Sequence, residues 1–160
     1  MIHVLFEIGG DACALPASRM VRVIPWTELR SLPRSPDYVK GLLNYRGHSV
    51  HVIDLAQMLG RPQAAPVLSS RILLVKYPLN DPPSPEPSML GLLVASAIET
   101  IDVQESEFKA PGIQNEGAAC LGPIVTVAYG GMVQIIDIEP ILPESLKDAL
   151  FKGAQTHTDA

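Results

Sequence analysis

Gly41-Leu42-Leu43-Asn44-Tyr45-Arg46-Gly47, followed closely by Val50-His51-Val52-Ile53-Asp54-Leu55, is the stretch that decides the fold of this chain. The second part reads as an apolar strand. Asn44 and Gly47 tolerate turn and left-handed conformations, so they reverse the chain tightly and leave Arg46 pointing outward. Just upstream, Ser35-Pro36-Asp37 supplies a cap followed by proline at the first helical position, which predicts a helix of a turn or two that Gly41 ends. A protruding guanidinium is a good docking group and a poor catalyst. The alternative role for Arg46 is to tie the turn down through a carboxylate or carbonyl.

The strand recurs further along. Ser49-Val-His-Val-Ile-Asp-Leu-Ala-Gln-Met-Leu59 aligns with Met132-Val-Gln-Ile-Ile-Asp-Ile-Glu-Pro-Ile-Leu142, with Val, Ile, Asp and Leu in register and a glycine, Gly47 or Gly131, ahead of each. Upstream of each, Leu15-Pro-Ala-Ser-Arg-Met-Val-Arg-Val-Ile24 lines up with Leu92-Leu-Val-Ala-Ser-Ala-Ile-Glu-Thr-Ile101. These pairs define an approximate internal repeat near 15–59 and 92–142. Two copies of a strand-rich unit predict two similar small barrels packed on one another, because each alone would bury too little apolar area.

Strand signals dominate the remainder. Ile2, Val4, Phe6 and Ile8 alternate with His3, Leu5 and Glu7, the period of a strand with one buried face. Arg71 to Tyr77 is a continuous run flanked by Ser70 and Pro78, consistent with a strand buried on both sides. Gly122 to Tyr129 ends at Gly130-Gly131, a hairpin turn back into Met132 to Ile138. Leu55 to Gly60 reads as a helical turn, and Pro143 to Lys152 as a C-terminal helix with Leu146, Ala149 and Leu150 on its apolar stripe. Five prolines between Pro78 and Pro87 make 78–88 an exposed loop inserted in a hairpin. The tail, 153–160, is expected to be disordered.

Composition narrows the function. The chain has 160 residues, 47% of them apolar, enough for one compact domain or two sub-barrels with a common core. Its net charge of -5 and 5% aromatic content oppose binding of a phosphate backbone or stacked bases, so no nucleic-acid partner is expected. No apolar run approaches the roughly 18 residues of a spanning helix, and the first residues read as a strand and not as a signal peptide. These features predict a cytoplasmic protein without direct membrane insertion. Charge is uneven: residues 1 to 61 carry seven basic and five acidic groups, net +2, and the remainder carries -7. Ends of opposite sign offer different surfaces to different partners.

Catalytic signatures are lacking. The sequence contains no phosphate-cradling Gly-x-x-x-x-Gly-Lys, no Gly-x-Ser-x-Gly elbow and no dinucleotide fingerprint. His48 and His51 fall on opposite sides of a strand and cannot easily share a metal. Asp54 and Asp137, matched in the repeat, are read as binding turn amides at strand ends. Cys13 and Cys120 read as buried free thiols. No catalytic residue, metal or cofactor is therefore expected.

Several motifs recur together in one family. Phe6-Glu-Ile-Gly9, Ala14-Leu15-Pro16, Leu32-Pro33-Arg34-Ser35-Pro36-Asp37-Tyr38-Val39-Lys40-Gly41, Asn44-Tyr45-Arg46-Gly47 and the final Ile135-Ile-Asp-Ile-Glu-Pro-Ile-Leu142 resemble the CheW-like domain, over nearly the whole chain. The resemblance implies a mainly β fold of two five-stranded, SH3-like barrels around a shared core, with a domain spanning 1–152. It also implies a scaffold with no catalysis of its own, which couples the cytoplasmic tip of a chemoreceptor to a CheA-like histidine autokinase, with recruitment to membrane-bound receptor arrays and self-association there. A chain of this length without a kinase segment looks like the free-standing adaptor.

Departures from the pattern bear on the partner surface. The family usually has Leu where Tyr45 stands and Pro where His51 stands. It commonly reads Val-x-Glu-Val after the opening strand, the Glu near the Arg of the turn on the receptor-facing surface; here the chain reads Met20-Val21-Arg22-Val23, so Arg22 reverses that charge. Gly91-Leu-Leu-Val94-Ala95 lacks the Asp usual in the second half. The departures point to a divergent adaptor, similar to those of a Wsp-like surface-sensing pathway. Receptor-binding residues implied by the resemblance are Met20, Arg22, Val23 and Arg46, with Gly41, Asn44 and Gly47 forming the turn; no kinase-contact residue is implied. The alternative reading is a small β-barrel that binds an anionic small ligand through Arg22 and Arg46, or serves as a subunit of an enzyme complex.

Overall fold

The computed structural model describes residues 1–61, 68–78, 88–104, 108–109, 120–126 and 131–152. The expected loop at 78–88, apart from its two end residues, and the tail at 153–160 lie outside the described residues. β1 (Ile2–Ile8) and β2 (Asp11–Pro16) form a hairpin, and a 3-10 turn at Ala17–Arg19 leads into β3 (Met20–Pro25). A second hairpin follows, β4 (Val39–Tyr45) and β5 (His48–Asp54), then the single turn α1 (Leu55–Met58), β6 (Arg71–Lys76) and β7 (Met89–Val94). β8 (Ser96–Asp102), the two-residue β9 (Phe108–Lys109), β10 (Leu121–Thr126) and β11 (Met132–Ile136) complete the strands. A 3-10 turn at Glu139–Ile141 precedes α2 (Glu144–Lys147), whose path continues as a wider helical turn over Asp148–Lys152.

The strands form two sheets, β8-β1-β2-β11-β10-β9 and β3-β6-β7-β5-β4. β5 is antiparallel to β4 and parallel to β7, just as β11 is antiparallel to β10 and parallel to β2. When β1–β5 are matched with β6, β7, β8, β10 and β11, both sheets have the order third, first, second, fifth, fourth; β9 is an added edge. Each sheet takes two strands from one half of the chain and three from the other. The second barrel is thus one continuous stretch, β3 to β7, while the first is assembled from both ends of the chain.

Three apolar clusters follow from this arrangement. Leu43, Val50, Val52, Ile72, Leu74 and Leu93 fill the second barrel. Ala14, Val103, Val125, Val133 and Ile135 fill the first. The largest cluster lies between them and takes Phe6, Leu15, Ile53, Leu73, Tyr77, Ile136 and Leu142 from both sheets. Adjacent side chains of one strand therefore serve different cores, Val52 a barrel interior and Ile53 the shared one, as period-2 alternation requires. The result is mainly β, two small barrels of the SH3-like kind around a common core.

Two local expectations are corrected. No helix forms between Pro36 and Gly41: there are turns, and Val39, Gly41 and Leu43 alternate buried with half-buried Lys40 and Leu42 in β4. Gly41 does not stop a helix. Its φ is +145, and a Cβ there would stand 2.3 Å from the Arg30 carbonyl oxygen, because the segment after β3 crosses over β4 and bonds Leu42 through Arg30. In β1, Ile2 is exposed and His3 buried, with a register shift against β8 between Leu5 and Phe6.

Candidate functional site

The turn is built differently from its sequence reading. Tyr45 pairs with His48, so Arg46 and Gly47 are the two-residue loop, with φ of 51 and 88. Positive φ at both positions is what a type I′ hairpin turn requires. Asn44 stays in β4 opposite Ser49 and acts through its side chain, whose Oδ1 accepts the Gly47 N–H at 2.9 Å. Within this turn Arg46, not Asn44, is the non-glycine residue in the left-handed region, at a cost of roughly 1–2 kcal/mol.

The guanidinium of Arg46 lies over the Tyr45 ring, 5.3 Å from its centroid. Such a contact contributes about 0.5–1 kcal/mol at an exposed site, and a leucine at position 45 would offer no π face. No hydrogen bond or ion pair joins Arg46 to another of the described residues, so it is held by the ring and not by a carboxylate. The open face of the turn adjoins a groove of about 380 Å³ lined by Glu28, Arg30, Leu42, Asn44 and Ser49.

Met20, Arg22 and Val23 lie on β3, an edge strand bonded only to β6. Met20 is half-buried against the shared core, whereas Arg22 and Val23 are exposed. Arg22 has no hydrogen-bond or ion-pair partner among the described residues. Arg46 is at the tip of the hairpin that forms the opposite end of the same sheet order, so the fold assigns both arginines to one barrel without joining them. Two residues absent from the sequence reading, Val21 (39% exposed) and Trp26 (37%), extend the apolar part of this edge. A register shift between Met20 and Arg22 turns Val21 outward, and no periodicity in Met20-Val21-Arg22-Val23 signals it.

The matched aspartates differ. Asp54 is fully buried and its Oδ1 caps α1 by accepting Gln57 N–H at 3.3 Å, as expected. Asp137 accepts no such bond among the described residues; its carboxylate packs over Gly122, and partial burial raises its pKa. Both cysteines are free and buried, and burial pushes Cys13 up to about 12 and Cys120 up to about 11. Among the described residues no group of three His, Cys, Asp or Glu could hold a metal ion, and no helix is long and apolar enough to cross a membrane.

Residues 3–145 match the family described as CheW-like domain. The chain is 26% identical over 141 residues to a protein named Chemotaxis protein CheW from Bacillus subtilis (strain 168), covering 87% of this chain and 85% of the relative. It is 20% identical over 147 residues to the protein of the same name from Rhizobium meliloti (strain 1021), covering 91% and 90%. Its fold is similar to that of the scaffolding protein TtCheW from Thermoanaerobacter tengcongensis, with a TM-score of 0.76, 22% identity and coverage of 88% and 90%.

Proposed function

This chain belongs to the CheW-like domain family, and from that membership we propose that it is a non-catalytic chemotaxis adaptor, a scaffold that joins the cytoplasmic tip of a chemoreceptor to a CheA-like histidine kinase. The observation that carries the reading is the exposed edge of β3, where Val21, Arg22 and Val23 stand free on the same barrel as the Arg46 turn. An exposed apolar edge that carries the Arg22 guanidinium fits a helical partner whose apolar face is bordered by acids. Met20, Arg22, Val23 and Arg46 are the proposed receptor contacts, with Asn44 and Gly47 shaping the turn; Gly41, inside β4, instead admits the segment at Arg30 that crosses over it. The kinase is assigned to another face. The protein acts in the cytoplasm, reaches membrane-bound arrays only through its partners, and needs no cofactor.

The test is a pull-down with two probes from the same organism, the soluble tip fragment of a chemoreceptor and the regulatory domain of a CheA-like kinase. Wild type should retain both. Arg46→Ala and Arg22→Glu should each lose about ten-fold in receptor affinity, roughly 1.4 kcal/mol, and keep the kinase. Receptor capture equal to wild type in both variants would remove these arginines from the receptor surface, and wild type capturing neither probe would sink the adaptor reading.

A further inference from the structure

We propose that Arg19 is a positioning residue which locks the β3 edge to the far barrel, so that the docking strand and the C-terminal helix hold one another in place. The binding half of this inference rests on the receptor reading of β3 above; the structural half does not.

Arg19 ends the 3-10 turn at which the chain leaves the first barrel and enters the second, directly before Met20. Its side chain is only 13% exposed. Nε and Nη2 both donate to the Lys76 carbonyl, at 3.2 and 2.6 Å, at the end of β6, the strand that pairs with β3. Nη2 also reaches Glu139 Oε1 at 2.8 Å, on the turn that follows β11 of the first barrel. The Tyr77 hydroxyl donates to the Glu139 carbonyl at 3.3 Å, and the ammonium of Lys147, on α2, lies 5.8 Å from the centroid of the Tyr77 ring. The guanidinium thus ties β3's entry point and β6 to the Glu139–Ile141 turn of the other barrel, and Tyr77, bonded to the same turn, carries the seam on to Lys147 of α2.

This contact differs in kind from an ordinary surface pair. Two of its three bonds go to a backbone carbonyl at a strand end, a fixed point, and the planar fork makes them with one side chain that a lysine could not imitate. β3 is bonded to only one neighbour, so its N-terminal end has little else to set its direction. Freeing Arg19 should let the first residues of β3 move relative to β6 and leave the sheet behind them intact.

Hydrogen exchange on the full chain tests the structural half. In Arg19→Ala, the amides of Met20–Val23, and of Lys147 and Asp148 at α2, should exchange about ten-fold faster, while those of β1, β5 and β11 stay as in wild type. Receptor-tip binding should fall about ten-fold with kinase binding held within about two-fold, and Arg19→Lys should recover only part of it. Glu139→Ala removes the carboxylate that Arg19 reaches on the far barrel but leaves the Lys76 bonds, and should show the same pattern more weakly; it decides the matter if Arg19→Ala does not fold. Unchanged exchange in β3, a uniform rise across both barrels, or equal loss of both partners would overturn the proposal. If wild type itself binds no receptor fragment, the reading of β3 fails while exchange still judges the lock.

Discussion

The barrel of β3 to β7 and the barrel of β1, β2 and β8 to β11 share a strand order and a core but differ in charge. Residues 20–94, which supply the former, carry eight basic and five acidic groups, +3; the other residues carry four basic and twelve acidic groups, -8. A division at residue 61 gives only +2 and -7, because it cuts across the exchange of strands between halves. The contrast reaches individual positions. In the aligned repeat, Arg22 on β3 corresponds to Glu99 on β8, and both are exposed on edge strands. Two barrels of one strand order thus keep similar apolar interiors and diverge in charge on their edges, the surfaces on which electrostatic complementarity acts.

The largest expected effect tests the common interior. Ile53 and Ile136 are matched in the repeat, both fully buried in the shared core. Each change to Ala should cost about 2–5 kcal/mol. Because one cluster joins the barrels, urea unfolding followed by Trp26 fluorescence, which reports the second barrel, should coincide with far-UV circular dichroism in both variants. Separate transitions for the two probes would show that the barrels are independent units.

Glycines sharpen the contrast between a packed position and an open one. Gly41→Ala forces a Cβ to 2.3 Å from the Arg30 carbonyl oxygen and should cost about 3 kcal/mol by displacing the strap over β4. Gly47→Ala, at φ +88 with nothing within 4 Å of its Cβ, should cost about 1 kcal/mol from backbone strain alone. Thermal melts that rank the two in the opposite order would refute the strap as the reason for Gly41.

The limits of the sequence reading follow the same physics. The likeness of 49–59 to 132–142 is legible because alternation and an aspartate at the strand end are local properties; 49–54 and 132–136 lie in the interior strands β5 and β11. No helix precedes Gly41 because Ser-Pro-Asp is a start signal whether or not a helix follows; what decides is Val39, Gly41 and Leu43 alternating inward against β5. Hairpin partners are legible, β10 with β11 and β6 with β7 across the 78–88 insertion, whereas pairings between distant segments are not. Similarity says that β3 and β8 are alike, and only tertiary packing sends β3 to β6 and β8 to β1. At the site, Arg46 and not Asn44 takes the left-handed conformation, because the Asn44 side chain secures the turn from β4 by accepting the Gly47 N–H three places on.

Thiols distinguish the barrels too, since Cys13 and Cys120 both belong to the first. Burial raises them from 9.0 to about 12 and about 11. Raised folded-state values mean that the unfolded chain loses these protons first. The stabilisation is complete below about pH 9 and disappears as pH rises toward 11 to 12. At pH 10 each thiol should account for about 1 kcal/mol of lost stability relative to pH 8. The check is urea unfolding at both pH values for wild type and a Cys13→Ala, Cys120→Ala variant. Tyr77, raised to about 12 chiefly by burial, adds a slope of the same sign in both proteins, so the difference between them isolates the thiols. An equal pH slope in the two would mean that neither thiol is protected in the native state.

The smallest effect on stability carries the most information about the rims. Arg22→Glu and Glu99→Arg each reverse one exposed charge on an edge strand, and each should leave the unfolding free energy within about 0.5 kcal/mol of wild type. Arg22→Glu lowers the charge of residues 20–94 from +3 to +1. It should weaken capture of an acidic receptor fragment and flatten its dependence on salt, because attraction between exposed charges is screened over about 10 Å at 0.1 M. Glu99→Arg changes the net charge of the whole chain by the same amount in the opposite sense, so a partner steered by total charge would bind it more tightly. A partner seated on β3 would not distinguish Glu99→Arg from wild type. Affinities measured at low and high salt for the two variants therefore separate a local docking edge from a general electrostatic attraction, and equal and opposite changes would show that the difference between the barrels plays no part in recognition.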